Sequence, residues 1–384
     1  MSESESQPML TRELPGVGGV MRAQDEDFFV QEIALYEPSD EGEHVMCEIQ
    51  KVGLTTHEAI SRISRQLKVR PGSIGYAGLK DKRGVTRQHL TICGTSPEAV
   101  AQIQDERLSV LWVAKHRNKL RLGHLKANRF AIRLREVDPL HVVRVRPILD
   151  RLIQSGLPNY FGEQRYGRLG VNDRLGLALM RQDFSEAFSL LIVDGSSRDH
   201  QELRAQRIFD ETQSAERAIL SVDRKIRELW MSAAQSRVFD AVVASRIDSL
   251  GTLVKGDLAY LHDRGACFVV EDPTVEQPRA DRFEISPTGP MFGSRMTNPK
   301  DDALQSEQRI FSEFKVPTDL SDAPNGERRP LRVKPEDCAL SAGVDDRGGF
   351  IAIAFTLPPG SFATTLMREV MKSGSTVSSS EQSS

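Results

Sequence analysis

An α+β fold is predicted by three observations. Strands of two-residue period stand towards both ends of the chain, capped amphipathic helices follow two of them, and a charged, helix-rich stretch separates the ends. His44 to Val52 sets Val45, Cys47 and Ile49 against Met46, Glu48 and Gln50, the alternation of a half-buried strand. Thr55-x-x-Glu58 then reads as a capping box, opening a helix whose apolar face is Ala59, Ile60, Ile63 and Leu67. Phe130 to Val137 alternates Phe130, Ile132 and Leu134 against Ala131, Arg133 and Arg135, a strand with one basic face. Phe350 to Leu357 is a final strand that Pro358-Pro359-Gly360 stops. Ser361 can cap the helix after it, in which Phe362, Leu366 and Val370 repeat every four residues.

The middle reads differently. From about Asp173 to Ser245 the chain is mostly helical and heavily charged, with an amphipathic, Trp-bearing helix running from Leu229 to about Ile247. Gly256 to Pro290 turns to short strands and Pro/Gly turns, and Phe311 to Pro335 holds a helical piece with basic residues. Residues 1–12 and the tail Gly374 to Ser384 are polar, Ser-rich and aperiodic, so mobility is expected at both.

A chain of 384 residues with 39% hydrophobic residues can build two domains or one large one. Its longest apolar runs are strand-sized and MSESESQPML carries acids where a signal peptide carries basic and then apolar residues, so a cytoplasmic protein without a membrane span is expected. Cys47, Cys93, Cys267 and Cys338 lie far apart, and His44 near Cys47 has no second ligand pair, so no metal site is expected. Neither GxxxxGK[ST] nor a strand-linked GxGxxG occurs, and no heptad argues against a monomer.

Net charge is −3, which excludes a protein that coats nucleic acid by bulk charge. Distribution says more. From Arg107 to Arg135 there are nine Lys or Arg, Lys119 and Arg121 among them, and no Asp or Glu, the mark of a shaped electropositive site. The stretch SIGYAGLKDKRGVTRQ, Ser73 to Gln88, places Asp81 among Lys80, Lys82, Arg83 and Arg87, with Gly75, Gly78 and Gly84 giving access to turn conformations. A carboxylate among cations stays ionised and suits nucleophilic attack better than proton donation. The same cations would draw in a polyanion, and nucleic acid is the polymer with a phosphate every few ångströms. The composition is equally that of a solvated turn between two strands.

YAGLKDKRGVTRQ resembles the catalytic-loop motif of the TruD family of tRNA pseudouridine synthases. Four more segments are similar to that family in the same order: EDFFVQEI with EGEHV, HRNKLRLGHLKANRFAIRLRE, GLPNYFGEQRYG, and LPPGSFATTLMREVM. The resemblance implies a pseudouridine-synthase-like catalytic domain, a mixed and mainly antiparallel sheet flanked by helices, interrupted by an inserted α/β TRUD domain. On that reading residues 1–155 begin the catalytic domain, 156–333 form the insert, 334–373 supply the final strand and helix, and 374–384 are a disordered tail.

It also implies tRNA as partner and isomerisation of uridine to pseudouridine, at position 13 of the D arm, with Asp81 as nucleophile. Phe28, Asn128, Phe130 and Phe362 would line the pocket of a flipped-out base. Arg22 would pair with the catalytic Asp, and Lys80, Lys82 and Arg165 would reach or support the RNA. The isomerisation needs neither redox chemistry nor energy input, so no cofactor is expected. Covalent addition at C6, a bond to C1′, and abstraction of the C2′ proton all remain open at this stage. Two other readings are a non-catalytic RNA-binding protein or chaperone of the same fold, and a hydrolase with an Asp nucleophile. The hydrolase needs further carboxylates, and the nearest acids, Glu58 and Glu98, lie well outside the loop.

Overall fold

A computed structural model describes residues 7–167, 169–192, 200–321 and 323–372. In chain order its elements begin with β1 (Phe28–Ala34), β2 (His44–Val52), α1 (Thr56–Leu67), β3 (Ile74–Tyr76), β4 (Val85–Cys93), α2 (Pro97–Ala101), β5 (Leu108–His116), β6 (Leu125–Leu134) and α3 (Val142–Ser155). There follow β7 (Leu157–Pro158), α4 (Asn172–Met180), α5 (Phe184–Leu191), α6 (His200–Thr212), α7 (Ala215–Leu220) and α8 (Arg224–Ser245). Then come β8 (Leu258–Leu261), β9 (Cys267–Val269), α9 (Pro273–Asp281), β10 (Ile285–Met291), α10 (Asp301–Glu313), β11 (Glu327–Pro330) and β12 (Arg332–Val333). The last are β13 (Glu336–Asp345), β14 (Gly348–Leu357) and α11 (Ala363–Met371).

Contacts gather these into two units, Thr11–Gln154 with Lys334–Ser384, and Met1–Leu10 with Ser155–Val333. The first holds a mixed eight-stranded sheet in the order β13-β14-β6-β1-β4-β2-β5, with β3 on β4. Its β1–β4 pairing is parallel and its other pairings are antiparallel. Val45, Cys47 and Ile49 of β2 pack with Ala59, Ile60 and Ile63 of α1 and with Leu90 and Ile92 of β4. The capping box forms as its sequence requires: Thr55 Oγ1 accepts from Glu58 N, and Thr55 N donates to Glu58 Oε2. In the other unit the order β11-β10-β8-β9 makes a sheet beside helices whose core includes Leu175, Ala178, Ile219 and Trp230.

Several expectations are corrected. β2 is not half-buried, because Met46 is fully enclosed and Glu48, on the same side, receives hydrogen bonds from Trp112 Nε1 and Gln31 Nε2. The strand expected from Phe130 starts at Leu125, and Arg135 leaves the basic face to enter a buried ion pair with Asp27 at 2.8 Å. Ser361 does not cap α11: Phe362 occupies the N-cap position, and Ser361 Oγ is buried without a hydrogen-bond partner. Residues 7–12 are anchored where mobility was expected. Gln7 Nε2 donates to Phe161 O at 3.1 Å and to Asp240 Oδ2 at 2.6 Å in one unit, and in the other Thr11 N and Oγ1 donate to Oε2 of buried Glu369 at 3.0 and 2.6 Å. Residues 1–6 and 374–384 lie outside the described residues.

Candidate active site

Three adjacent strands present one face in register. Val30, Phe130 and Phe355 stand in one row of β1, β6 and β14, and Glu32, Asn128 and Leu357 stand in the next. Phe130 stacks on Phe355 at 5.3 Å between centroids and meets Phe28 edge-on at 6.5 Å. The alternation of a strand thus puts Phe28, Asn128 and Phe130 together on one side of the sheet.

The segment between β3 and β4 is held over this region by its backbone. Lys80 N donates to Thr56 Oγ1 at 2.9 Å, and Gly84 N donates to Asp25 Oδ1 at 2.9 Å. Lys51, fully buried, donates to Asp81 O at 3.0 Å and to Leu54 O at 2.5 Å. Burial pushes the Lys51 ammonium pKa down to about 8, although the Asp81 charge opposes this. Main-chain pinning leaves the Asp81 side chain half exposed.

The Asp81 carboxylate itself pairs with Arg22, whose Nη2 lies 2.8 Å from Asp81 Oδ2. Its guanidinium also lies 4.0 Å from the Phe28 ring centroid, so one arginine bridges the carboxylate and the aromatic wall. Arg22 adopts a left-handed φ of 56°, unusual for a side-chain-bearing residue. The ring of neighbouring cations expected from the sequence is redistributed. Lys82 pairs with Glu58 at 3.7 Å, both exposed, and Arg87 Nε donates to Gln50 Oε1 at 2.9 Å. Lys80, expected to reach phosphate, turns inward: its Nζ lies 3.1 Å from Glu32 Oε2 and 2.6 Å from Asn128 Oδ1. Burial would raise the pKa of Glu32, but His89 and Lys80 outweigh it and hold this carboxyl below its ordinary value.

Phe362 is half-buried at the start of α11, five residues beyond Leu357, the β14 partner of Asn128. Lys119 and Arg121 are exposed in the segment joining β5 to β6, which Gly123 N ties to Ala77 O just after β3. Arg165 belongs to the other unit and is engaged inside it, with Nε donating to Ser236 Oγ at 3.2 Å and Nη2 to Ser232 Oγ. Sequence reasoning missed Glu32, Lys51 and His89. A signal existed for two of them: Lys51 continues the apolar series Val45, Cys47, Ile49, and Glu32 continues Phe28, Val30, so each is a charge on a core-facing position.

The family model for tRNA pseudouridine synthase D (TruD) matches residues 6–213 and 203–370. The chain belongs to the TruD family. It is 42% identical to a tRNA pseudouridine synthase D of Geobacter metallireducens, over 95% of this chain and 98% of that one. It is 40% identical to one of Syntrophotalea carbinolica, over 94% and 98%, and 35% identical to one of Thermus thermophilus, over 96% and 93%. A TruD-assigned crystal structure from Methanosarcina mazei, 23% identical, superposes with a TM-score of 0.77 over 96% of both chains, which shows the shared fold. Membership makes the protein an RNA-modifying isomerase acting on uridine in tRNA. No helix among the described residues is long and apolar enough to cross a membrane.

Proposed function

We propose that this TruD-family enzyme isomerises uridine 13 of the tRNA D arm to pseudouridine, with Asp81 as nucleophile. The observation that carries this reading is the setting of Asp81: a half-exposed carboxylate on a pinned backbone, salt-bridged to Arg22, beside the aromatic wall of Phe28 and Phe130. A purely RNA-binding surface has no use for a carboxylate there, since it repels phosphate.

The reaction breaks the N1–C1′ bond, turns the base, and joins C5 to C1′; C5 loses a proton and N1 gains one. The target must leave its stack to reach Asp81, and an aromatic wall with nearby hydrogen-bonding groups is what holds an extruded base. Asn128, Phe130, Phe28 and Phe362 serve that role in this reading. Addition at C6, attack at C1′ and abstraction of the C2′ proton each start from the ionised Asp81. Arg22 keeps that anion oriented. Bond isomerisation is neutral in electrons, so the scheme needs no cofactor or metal.

Lys82, Lys119, Arg121 and Arg165 are assigned to the RNA side, Arg165 through the wall formed with Phe161, over which it stacks at 5.5 Å. Residues 156–333 are assigned as the TRUD insert, with residues 1–155 and 334–373 as the catalytic domain, except that residues 1–10 group with the insert by their contacts. The protein is proposed to act as a cytoplasmic monomer.

Pseudouridine mapping in cellular tRNA with and without the protein tests the site. Asp81→Asn tests the chemistry: turnover should fall below a few per cent while tRNA binding persists or tightens, since a repulsive charge is gone. An Asn variant with substantial turnover removes Asp81 from the nucleophile role.

A further inference from the structure

Asn128 is half-buried on β6, and its amide is held from one side. The group holding it is Lys80 Nζ, 2.6 Å from Asn128 Oδ1. Behind Lys80 stands Glu32, whose side chain is 0% exposed, with Oε2 3.1 Å from the ammonium. Glu32 is fixed in turn by His89, whose backbone N donates to Oε1 at 3.2 Å and whose Nδ1 lies 3.5 Å from the same oxygen. An ammonium has donors and no acceptor, so the amide atom facing it must be the oxygen. With Oδ1 committed inward, the two N–H bonds of Nδ2 are what Asn128 can offer elsewhere, and Nδ2 has no hydrogen-bond partner among the described residues.

We propose that Lys80 is a positioning residue for base choice: backed by Glu32, it locks Asn128 as a hydrogen-bond donor, which accepts uracil through its O4 carbonyl and rejects cytosine with its 4-amino group. The two pyrimidines differ at this edge by an acceptor against a donor. A free asparagine amide could flip and serve either base. A locked one cannot, and a site committed to one hydrogen-bond polarity discriminates strongly because the wrong partner leaves a buried group unpaired. The inference rests on the proposed function, in that Asn128 faces the extruded base.

The test uses tRNA carrying either uridine or 4-thiouridine at the target, sulfur being the weaker acceptor, timed under single-turnover conditions. Wild type should react more slowly with the thio substrate, by about tenfold if one hydrogen bond is weakened. Lys80→Met, which removes the lock, should be slower with uridine and bring the two rates close together. Lys80→Arg, which still only donates, should keep most of the preference. A wild-type ratio near one, or a Met variant that keeps the wild-type ratio, overturns the proposal. Where Lys80→Met does not fold or react, Lys80→Gln decides, because its amide can face Asn128 with either polarity. A preserved ratio in Lys80→Gln overturns the proposal, and a collapsed one supports it. Loss of overall rate alone would follow from damaged packing, whereas the ratio reports the amide's polarity. If wild type forms no pseudouridine from unmodified tRNA, the functional reading beneath fails instead.

Discussion

A lysine with no exposed surface is costly unless its donors are used, and Lys51 uses two of them on the carbonyls of Leu54 and Asp81. The charged groups around it are Asp81, Lys80, Glu58 and Asp25, and burial outweighs the attraction of the acids, bringing its pKa down to about 8. The unfolded chain keeps this proton up to the ordinary lysine range, so between about pH 8 and 10 the unfolded state binds more protons. Lys51 therefore contributes a rise in stability with pH across that window. Urea midpoints of wild type should show this increment and those of Lys51→Met should not; parallel profiles would mean an ordinary titration. The Met variant should also lose roughly tenfold in single-turnover rate, the scale of one charged hydrogen bond removed from the Asp81 backbone. Asp81 itself was legible as a candidate from its cationic surroundings. Of its clamp, the Arg22 pairing was implied by the family resemblance, whereas Lys51 was not legible, since it is remote in sequence and reaches the Asp81 backbone only through the fold.

At the scale of elements, the turn into β4 decides where the loop sits. Gly84 has φ +133°, and a Cβ there would lie 2.6 Å from Phe28 O, so glycine is required both by conformation and by the close approach to β1. Gly84→Ala should cost about 1–3 kcal/mol from backbone strain alone, with activity falling further as the Asp25 hydrogen bond to Gly84 N is displaced. Thermal unfolding together with single-turnover rate measures both; an unchanged melting temperature would show that β1 and β4 can move apart. Local elements were readable in advance where their signals are adjacent, as with the Thr55 capping box and the stop after Leu357. The cap on α11 was misread because Phe362, not the serine before it, has the extended N-cap backbone.

Across the whole molecule, charge is separated more than net charge suggests. The formal total is −3, yet Lys115, Arg117, Lys119, Arg121, Lys126, Arg129 and Arg133 are exposed along β5, β6 and their connection. Lys119 spends one donor on Gly72 O, and the ammonium has two others for a phosphate. Charge reversal at Lys119 and Arg121 should weaken tRNA binding at low salt and reduce the logarithmic salt slope by nearly one for each phosphate that is no longer neutralised. Fluorescence titrations at several salt concentrations give the slope; an unaltered value would show that this surface faces away from tRNA. Arg135 was counted in this tract from the sequence, but it serves the interior, bound to Asp27 and Asp345.

By itself the sequence determined the α+β class, the candidate loop around Asp81, the basic tract, and the family to which the chain belongs, since each is written in contiguous residues whose spacing carries its own physical meaning. Apart from the Arg22–Asp81 pair, which the resemblance implied, the tertiary structure alone decided which charges meet. Lys80 and Asp81 are neighbours in sequence, yet Lys80 turns to Glu32 and Asn128 while Asp81 takes Arg22, 59 residues away. Burial is the reason: an ionised group enclosed on a sheet must find a counter-charge or hydrogen bonds within reach, and reach is set by strand register and pairing, which no local pattern encodes.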